Sequence, residues 1–452
     1  MNHLVDQYFD SLIDKKIAVL GIGVSNRPLI RMLLARGLHV LACDKTPREK
    51  LDAEVLELER AGAVLHVGEH YLDDVQADIV FRTPGMHPDI PALRRLREKG
   101  AELTSEMEAF FEVCPCRIIA VTGSDGKTTT TTLIAKILEH AGHRVWVGGN
   151  IGAPLLPQAA DIAVVELSSF QLMTMERSAD IAVVTNVAPN HLDVHKDMAE
   201  YVQAKKNVFE YQNETGKVVL NYDNDITRGF AADAKGAVEF FSRQTRPENG
   251  VYLEDGVIYR NGKKIMAAAD IRIPGVHNIE NYMAAACAVE GLAEDEDIDE
   301  IARTFAGVEH RIEFVRELDG VKYYNDSIAS SPSRTIAGLH SFRQKLVLIA
   351  GGYDKKIPFD ALGPEICAHV RLLILCGATA EKIEAAVKSA PDYRPGQPEI
   401  LHAQTLEEAV RLAKRHTVPG DIVTLSPACA AFDQFKNFMV RGETYKTLVQ
   451  EL

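Results

Sequence analysis

A lysine and two threonines behind a closely spaced pair of glycines are the residues of this chain best suited to handle phosphate. Residues 118–130 read Ile-Ile-Ala-Val-Thr-Gly-Ser-Asp-Gly-Lys-Thr-Thr-Thr. Around Gly123, Ser124, Asp125 and Gly126 the backbone N–H groups can close on phosphate oxygens, because glycine leaves the approach open. A helix opening at Lys127 adds the positive end of its dipole. Lys127 would neutralise the outer phosphates, and the Thr128 hydroxyl, with Thr129 beside it, can reach a Mg²⁺ ion. Val121 stands where the general loop G-x-x-x-x-G-K sets its first glycine. The shortened form Thr-Gly-x-x-Gly-Lys-Thr is a narrower signal than the general one.

A second set of residues suits a metal. Glu166 closes the apolar run 162–166, and ligands of α/β sheets gather at the carboxyl ends of strands. A carboxylate there can share Mg²⁺ with Thr128. The next apolar run, 181–186, leads to Asn-Val-Ala-Pro-Asn-His-Leu-Asp-Val-His, which ends at His195. His191 and His195 have a zinc-like spacing, but no third His, Cys or Glu ligand lies near in sequence. Residue types alone leave His191 open between ligand and loop residue. They read His195 as a solvated loop residue, and Lys205 and Lys206 as surface charges on a helix.

The elements that must position these groups form three blocks. Strand-like runs at 16–23, 39–44 and 77–81, with a helix from Pro28, form the first. The second starts near Thr104, carries the phosphate loop and continues through Leu133, Ile134, Ile137 and Leu138 at helical spacing. The third begins near Gly307, with runs at 321–324, 346–350, 372–375 and 422–425. Alternating strands and helices imply doubly wound parallel sheets. Expected boundaries are 1–104, 105–306 and 307–452. In the first block Gly21-Ile-Gly23 and Asp44 make half of a dinucleotide signature, but Asn26 holds the third glycine position. A nicotinamide dehydrogenase would leave the loop at Lys127 without a role.

The shortened loop, and the order of motifs around it, resemble the Mur ligases, ATP-dependent amide-forming enzymes of peptidoglycan synthesis. The resemblance runs nearly end to end. It implies an N-terminal Rossmann-like domain that binds the UDP of the acceptor, a central P-loop ATPase-like domain and a C-terminal Rossmann-like domain that receives the amino acid. Carried over by motif, the UDP contacts are Ser25, Asn26, Asp44, Lys45, Thr83 and Gly85, with Asn150 and His191. His191 and Lys205 join Thr128 and Glu166 as metal ligands for two Mg²⁺ ions, Lys205 after carbamylation by CO₂. Asn278, Arg311 and Asp326 complete the ATP clamp, and Lys127, His191, Lys205 and Arg311 make up the catalytic set. The 426–438 run is most similar to the glutamate-adding branch, which implies D-glutamate, UDP-N-acetylmuramoyl-L-alanine and ATP as substrates. A cytoplasmic monomer is expected.

This sequence departs from that branch in one pocket. Ile328 replaces a lysine, Ser330 a threonine, and Ala431 a serine. Lys355, Ser330 and the backbone near Phe438 remain to hold the amino acid, with Lys355 contributing most.

Bulk properties agree with such a role. The 452-residue chain has a formal net charge of −14, which argues against nucleic acid or an anionic membrane as partner. No apolar run reaches membrane-spanning length. Seven scattered cysteines suit reduced thiols. Folylpolyglutamate synthetase-like enzymes share the central loop but lack the first block. Sibling ligases that add another amino acid, or a nucleotide-binding switch, are the remaining alternatives.

Overall fold

The computed structural model describes residues 3–23, 25–149, 160–189 and 194–452. The first sheet contains β1 (Ile17–Leu20), β2 (Val40–Asp44), β3 (Val64–Val67), β4 (Ile79–Arg82) and β5 (Glu102–Thr104). They lie in the order β3-β2-β1-β4-β5, all parallel. Strand order reverses between β1 and β4, where doubly wound sheets open a crevice for ligand. Ile17 and Val19 enter one core, Ala18 and Leu20 the core on the opposite face. Burial on both faces accounts for the unbroken apolar run of β1.

The second sheet contains β6 (Arg117–Thr122), β7 (Val145–Gly149), β8 (Ile162–Glu166), β9 (Ile181–Val184), β10 (Lys217–Asn221), β11 (Ala237–Ser242), β12 (Gly250–Glu254), β13 (Val257–Arg260) and β14 (Lys263–Ala267). Their order is β14-β13-β12-β11-β10-β9-β6-β8-β7. Pairing is parallel from β7 across to β12, then antiparallel to β13 and β14. This antiparallel arm was not read from the sequence, although its turns carry a direct signal. Asp255-Gly256 and Asn261-Gly262 both take positive φ at both positions (50° and 75°, 48° and 89°), the geometry of tight hairpin turns. After β6, the helix Lys127–His140 buries Leu133, Ile134, Ile137 and Leu138, the four positions its spacing marks.

The third sheet contains β15 (Glu313–Leu318), β16 (Val321–Asn325), β17 (Leu346–Ala350), β18 (Val370–Leu375), β19 (Glu399–His402) and β20 (Ile422–Leu425). Its order is β15-β16-β20-β17-β18-β19, antiparallel only at β15. Leu346, Leu348 and Ala350 face one core, Val347 and Ile349 the other. Two compact units hold the three sheets. Met1–Ala268 with Glu280–Ile301 carries the first two, and Ala269–Ile279 with Ala302–Leu452 carries the third. All seven cysteines are free. No helix among the described residues is long and apolar enough to cross a membrane.

Candidate functional site

The phosphate loop is built by the strand that precedes it and braced by the strand beside that one. Gly123 takes φ 150°, and an added Cβ there would collide with Thr185 Oγ1. Gly126 is left-handed at φ 79° and caps the helix, and an added Cβ there would lie 2.5 Å from Asn281 Oδ1. Both glycines are thus required by backbone shape and by close neighbours. Thr185 donates to the Asp125 carbonyl at 2.6 Å. Ser124 N–H donates to the Asn186 carbonyl (2.9 Å), and Asp125 N–H to Asn186 Oδ1 (3.0 Å). Ser124 Oγ donates to the Ala188 carbonyl and lies 2.9 Å from the Tyr201 hydroxyl. Lys127 Nζ donates to the carbonyls of Gly123 and Ser124, each at 3.0 Å. Thr185, Asn186, Tyr201 and Asn281 were missed as loop supports. For Thr185 and Asn186 the available signal was their place at the carboxyl end of an apolar strand.

Glu166 is buried at the carboxyl end of β8, in register with Val121 of β6. Its position beside the strand that feeds the loop suits a hard-oxygen ligand to Mg²⁺, and Thr128 at the helix start is half-buried. His191 and Asn150 lie outside the described residues. The expectation of a solvated His195 is corrected: its side chain is buried, stacks on Phe170 at 5.4 Å and lies 2.9 Å from Ser169 Oγ. Packing against two aromatic rings, Phe170 and Tyr201, turned a loop residue into a core one.

Lys205 and Lys206 also separate from the surface reading, and in opposite ways. Lys205 is 1% exposed and donates to the Gly123 carbonyl at 2.7 Å, with its ammonium 4.6 Å from the centre of the Tyr201 ring. Burial, and then the nearby charge of Lys127, hold its pKa well below the usual lysine range. Lys206 pairs with Asp233 at 3.0 Å and Glu210 at 3.4 Å. Burial there acts downward, but these two partners outweigh it and raise the pKa.

At the β1/β4 crevice, Gly21 takes φ 88° and an added Cβ would lie 2.8 Å from Thr83 Cγ2. Asp44 accepts from Ile22 N–H at 2.7 Å and Thr46 N–H at 2.9 Å. Burial works to raise its pKa, but these backbone bonds win and lower it. Asn26 is buried and donates to the carbonyls of Gly21 (2.9 Å) and Leu20 (3.4 Å). Its amide thus occupies the space where a dinucleotide signature has glycine. Ser25, Lys45 and Gly85 are exposed, and Thr83 is half-buried.

In the other unit, three segments meet at the carboxyl ends of β16, β17 and β20. Arg441 is buried beneath them. It donates to Ser327 Oγ (3.0 Å) and to the carbonyls of Ser327 (2.9 Å), Cys429 (3.0 Å) and Ala430 (3.1 Å). Desolvation lowers its pKa to about 10. Tyr353 N–H donates to the Ala430 carbonyl at 2.9 Å, which ties the Lys355 loop to the same place. Ser327 Oγ donates to the Phe438 carbonyl at 2.8 Å. Arg441 had no signal of its own in a mixed helical run.

Asp326 is buried, accepting from Ser426 Oγ (2.7 Å) and Ile312 N–H (3.3 Å). Burial pushes its carboxyl up to about 7, against those two bonds. Asn278 is buried and donates to the Pro274 carbonyl at 2.6 Å. Arg311 and Ser330 are half-buried, and Lys355 is exposed.

Comparison with known proteins follows the same outline. The chain matches the Mur ligase middle domain over residues 121–289, and the Mur ligase glutamate ligase domain over 310–429. It is 52% identical, over 465 aligned residues and 100% of both chains, to the UDP-N-acetylmuramoylalanine–D-glutamate ligase of Acetivibrio thermocellus. A protein of the same name from Clostridium botulinum is 49% identical over 452 residues, covering 99% of each chain. Among solved structures it is similar to the UDP-N-acetylmuramate–alanine ligase of Thermotoga maritima (TM-score 0.59, 18% identity, 97% of this chain and 99% of that one). A pseudomurein peptide ligase from Methanothermus fervidus gives TM-score 0.54 at 18% identity, over 97% of this chain and 100% of that one. At such identity these two likenesses speak for the fold alone.

Proposed function

The chain belongs to the Mur ligase family, and on that premise we propose that it joins D-glutamate to UDP-N-acetylmuramoyl-L-alanine with ATP, in the making of peptidoglycan precursors. The observation that carries this reading is 52% identity over the whole length of a relative with that printed name. The geometry of the phosphate loop supports the chemistry. We assign 1–104 to the acceptor, 105–306 to the nucleotide and 307–452 to the amino acid, a division supported by the three sheets.

A free carboxylate is a poor electrophile. The γ-phosphoryl group passes to an oxygen of the acceptor carboxylate, and the bond to ADP breaks. The amine of D-glutamate then attacks the acyl carbon, loses a proton and forms the amide bond as phosphate leaves. Catalysis is positioning and charge neutralisation. Because the Ser124 and Asp125 N–H groups are taken up by Asn186, the cradle for phosphate falls to the N–H groups at the helix start, from Gly126 to Thr128. Lys127 exchanges its loop carbonyls for phosphate oxygens, and Arg311 adds charge to the transferring group. Asn278 and Asp326 orient the nucleotide. Thr128, Glu166, His191 and a carbamylated Lys205 would hold two Mg²⁺ ions, which supply neutralisation of phosphoryl charge when bound.

Lys205 fits carbamylation because CO₂ adds only to a neutral amine, and its surroundings favour that form. Lys206, held charged by Asp233 and Glu210, does not fit. Ser330, Lys355 and Phe438 receive D-glutamate, and Ser25, Asn26, Asp44, Lys45, Thr83, Gly85, Asn150 and His191 serve the UDP acceptor. Substrates of this kind set the reaction in the cytoplasm.

The deciding assay is phosphate release from ATP with the UDP acceptor present. Release is expected to require D-glutamate, and to be weaker with L-glutamate or D-aspartate. Release without acceptor, or a different amino acid winning the competition, would overturn the assignment. The second result would trace to Ile328 and Ala431.

A further inference from the structure

Arg82 closes β4, a central strand whose residues are all buried, and is itself 1% exposed. A guanidinium in that place loses its hydration, which is costly unless its donors are satisfied. Its two terminal nitrogens are satisfied, on two different elements, and Nε alone is left without a hydrogen-bond partner. NH1 donates to the carbonyls of Pro84 (3.2 Å) and Met86 (3.0 Å), inside the turn that follows Thr83. NH2 donates to the Phe170 carbonyl and to Thr174 Oγ1, both at 2.9 Å. Phe170 sits in the short helix Ser169–Leu172, four residues beyond the metal-ligand candidate Glu166. Glu108 adds a favourable charge at longer range.

One side chain therefore grips the turn assigned to the UDP acceptor and the segment that continues from Glu166. Two further links join the same two sheets. His87 Nε2 lies 3.2 Å from Glu200 Oε2, and Lys196 pairs with Asp89 at 2.6 Å. These are more exposed, and surface pairs contribute little. The Arg82 contact is buried and rigid, and a planar fork of donors holds two directions at once.

We propose that Arg82 is a positioning residue that couples acceptor binding at the first sheet to nucleotide and Mg²⁺ binding at the second. It touches no substrate. The inference rests on the functional reading above, because it takes the Thr83–Gly85 turn as the acceptor's and Glu166 as the metal's. Its consequence is thermodynamic: acceptor and nucleotide bind more tightly together than separately, through the geometry Arg82 maintains.

The test measures Kd for UDP-N-acetylmuramoyl-L-alanine by calorimetry, with and without Mg²⁺ and a non-hydrolysable ATP analogue, alongside turnover. In the parent protein the analogue should tighten acceptor binding about tenfold, a middling value for coupled sites. Arg82→Met should abolish that enhancement. Thr174→Val, which removes one of the two contacts NH2 makes there and keeps those to the Thr83–Gly85 turn, should leave the Kd for acceptor alone within about twofold and still reduce the enhancement and kcat. This second variant keeps the question decidable if Arg82→Met fails to fold. Parent-like coupling in Thr174→Val, or in a folded Arg82→Met, overturns the proposal. An enhancement absent from a parent protein that turns over normally also overturns it. Failure of the functional reading is a separate result, because the parent protein would then release no phosphate in response to D-glutamate.

Discussion

Each unit buries a cation under a loop at strand ends, and the two solve the problem of buried charge in opposite ways. Lys205 has one carbonyl, that of Gly123, and the face of Tyr201, with Lys127 close enough to repel it. Arg441 has four bonds to carbonyls and a hydroxyl. An amine with so little compensation is held well below the usual lysine pKa, which favours the neutral form that the proposed carbamylation needs. A guanidinium stays charged near neutral pH, and its fork of donors instead ties together the two segments that follow β16 and β20. On the reading proposed above, the poorly compensated cation serves chemistry and the fully bonded one serves the scaffold.

The sharpest way to break this contrast is at Lys205. Lys205→Ala should lose on the order of a hundred- to a thousandfold in kcat, as removal of a fixed electrostatic group does. A short-chain carboxylic acid should partly restore the rate, and Lys206→Ala should stay near the parent. An inactive Lys206→Ala beside a normal Lys205→Ala would reverse the assignment.

At Arg441 the expected loss is in stability. Arg441→Met strands the carbonyls of Ser327 and Cys429 and takes one of two donors from that of Ala430, which should cost about 3 kcal/mol or more in urea unfolding. A variant as stable as the parent but inactive would make Arg441 a reacting group and erase the contrast.

Asp326 is the acidic counterpart, a carboxyl that burial shifts toward its protonated form. Its folded pKa of about 7 stands above the ordinary 3.8. The folded state therefore binds the extra proton, and the stability it brings is full below about pH 4 and lost as pH rises through about 7. Unfolding free energies of parent and Asp326→Asn, compared across that window, should diverge by at most about 4 kcal/mol. Parallel curves would mean that Asp326 is ionised when folded.

The smallest effect belongs to the exposed cation. Lys355→Ala should raise KM for D-glutamate about tenfold, the loss of one charge-assisted contact, and leave KM for ATP nearly unchanged. An unaltered KM would transfer the amino acid to other groups.

What could be read in the sequence follows a physical rule. Strands buried on both faces are mostly apolar runs, so 162–166, 346–350 and 422–425 coincide with β8, β17 and β20. The phosphate loop was legible because glycine, lysine and hydroxyl types are dictated by local backbone and charge. The supports were not. Thr185, Tyr201 and Asn281 act through contacts tens of residues away along the chain, and only the folded arrangement brings them to the loop. Burial is likewise non-local: Lys205 and Lys206 are adjacent and identical in type, and only packing tells them apart. The antiparallel arm β12–β14 lies between these cases, since its Asp-Gly and Asn-Gly turns were open to reading.

The bracing of the phosphate loop from behind has a consequence for how this sequence can drift over generations. Asp125 is held by its own N–H and carbonyl, both engaged by the Thr185-Asn186 pair, and its side chain is exposed. Exchange at position 125 is therefore tolerated, because the pose of the loop does not depend on that side chain. Gly123 has no such latitude, since any side chain would enter the volume of Thr185. Room made at 185 would not release position 123, because its φ of 150° disfavours any side chain and the Asn186 backbone lies 3.2 Å from the place of a Cβ, so glycine stays fixed there.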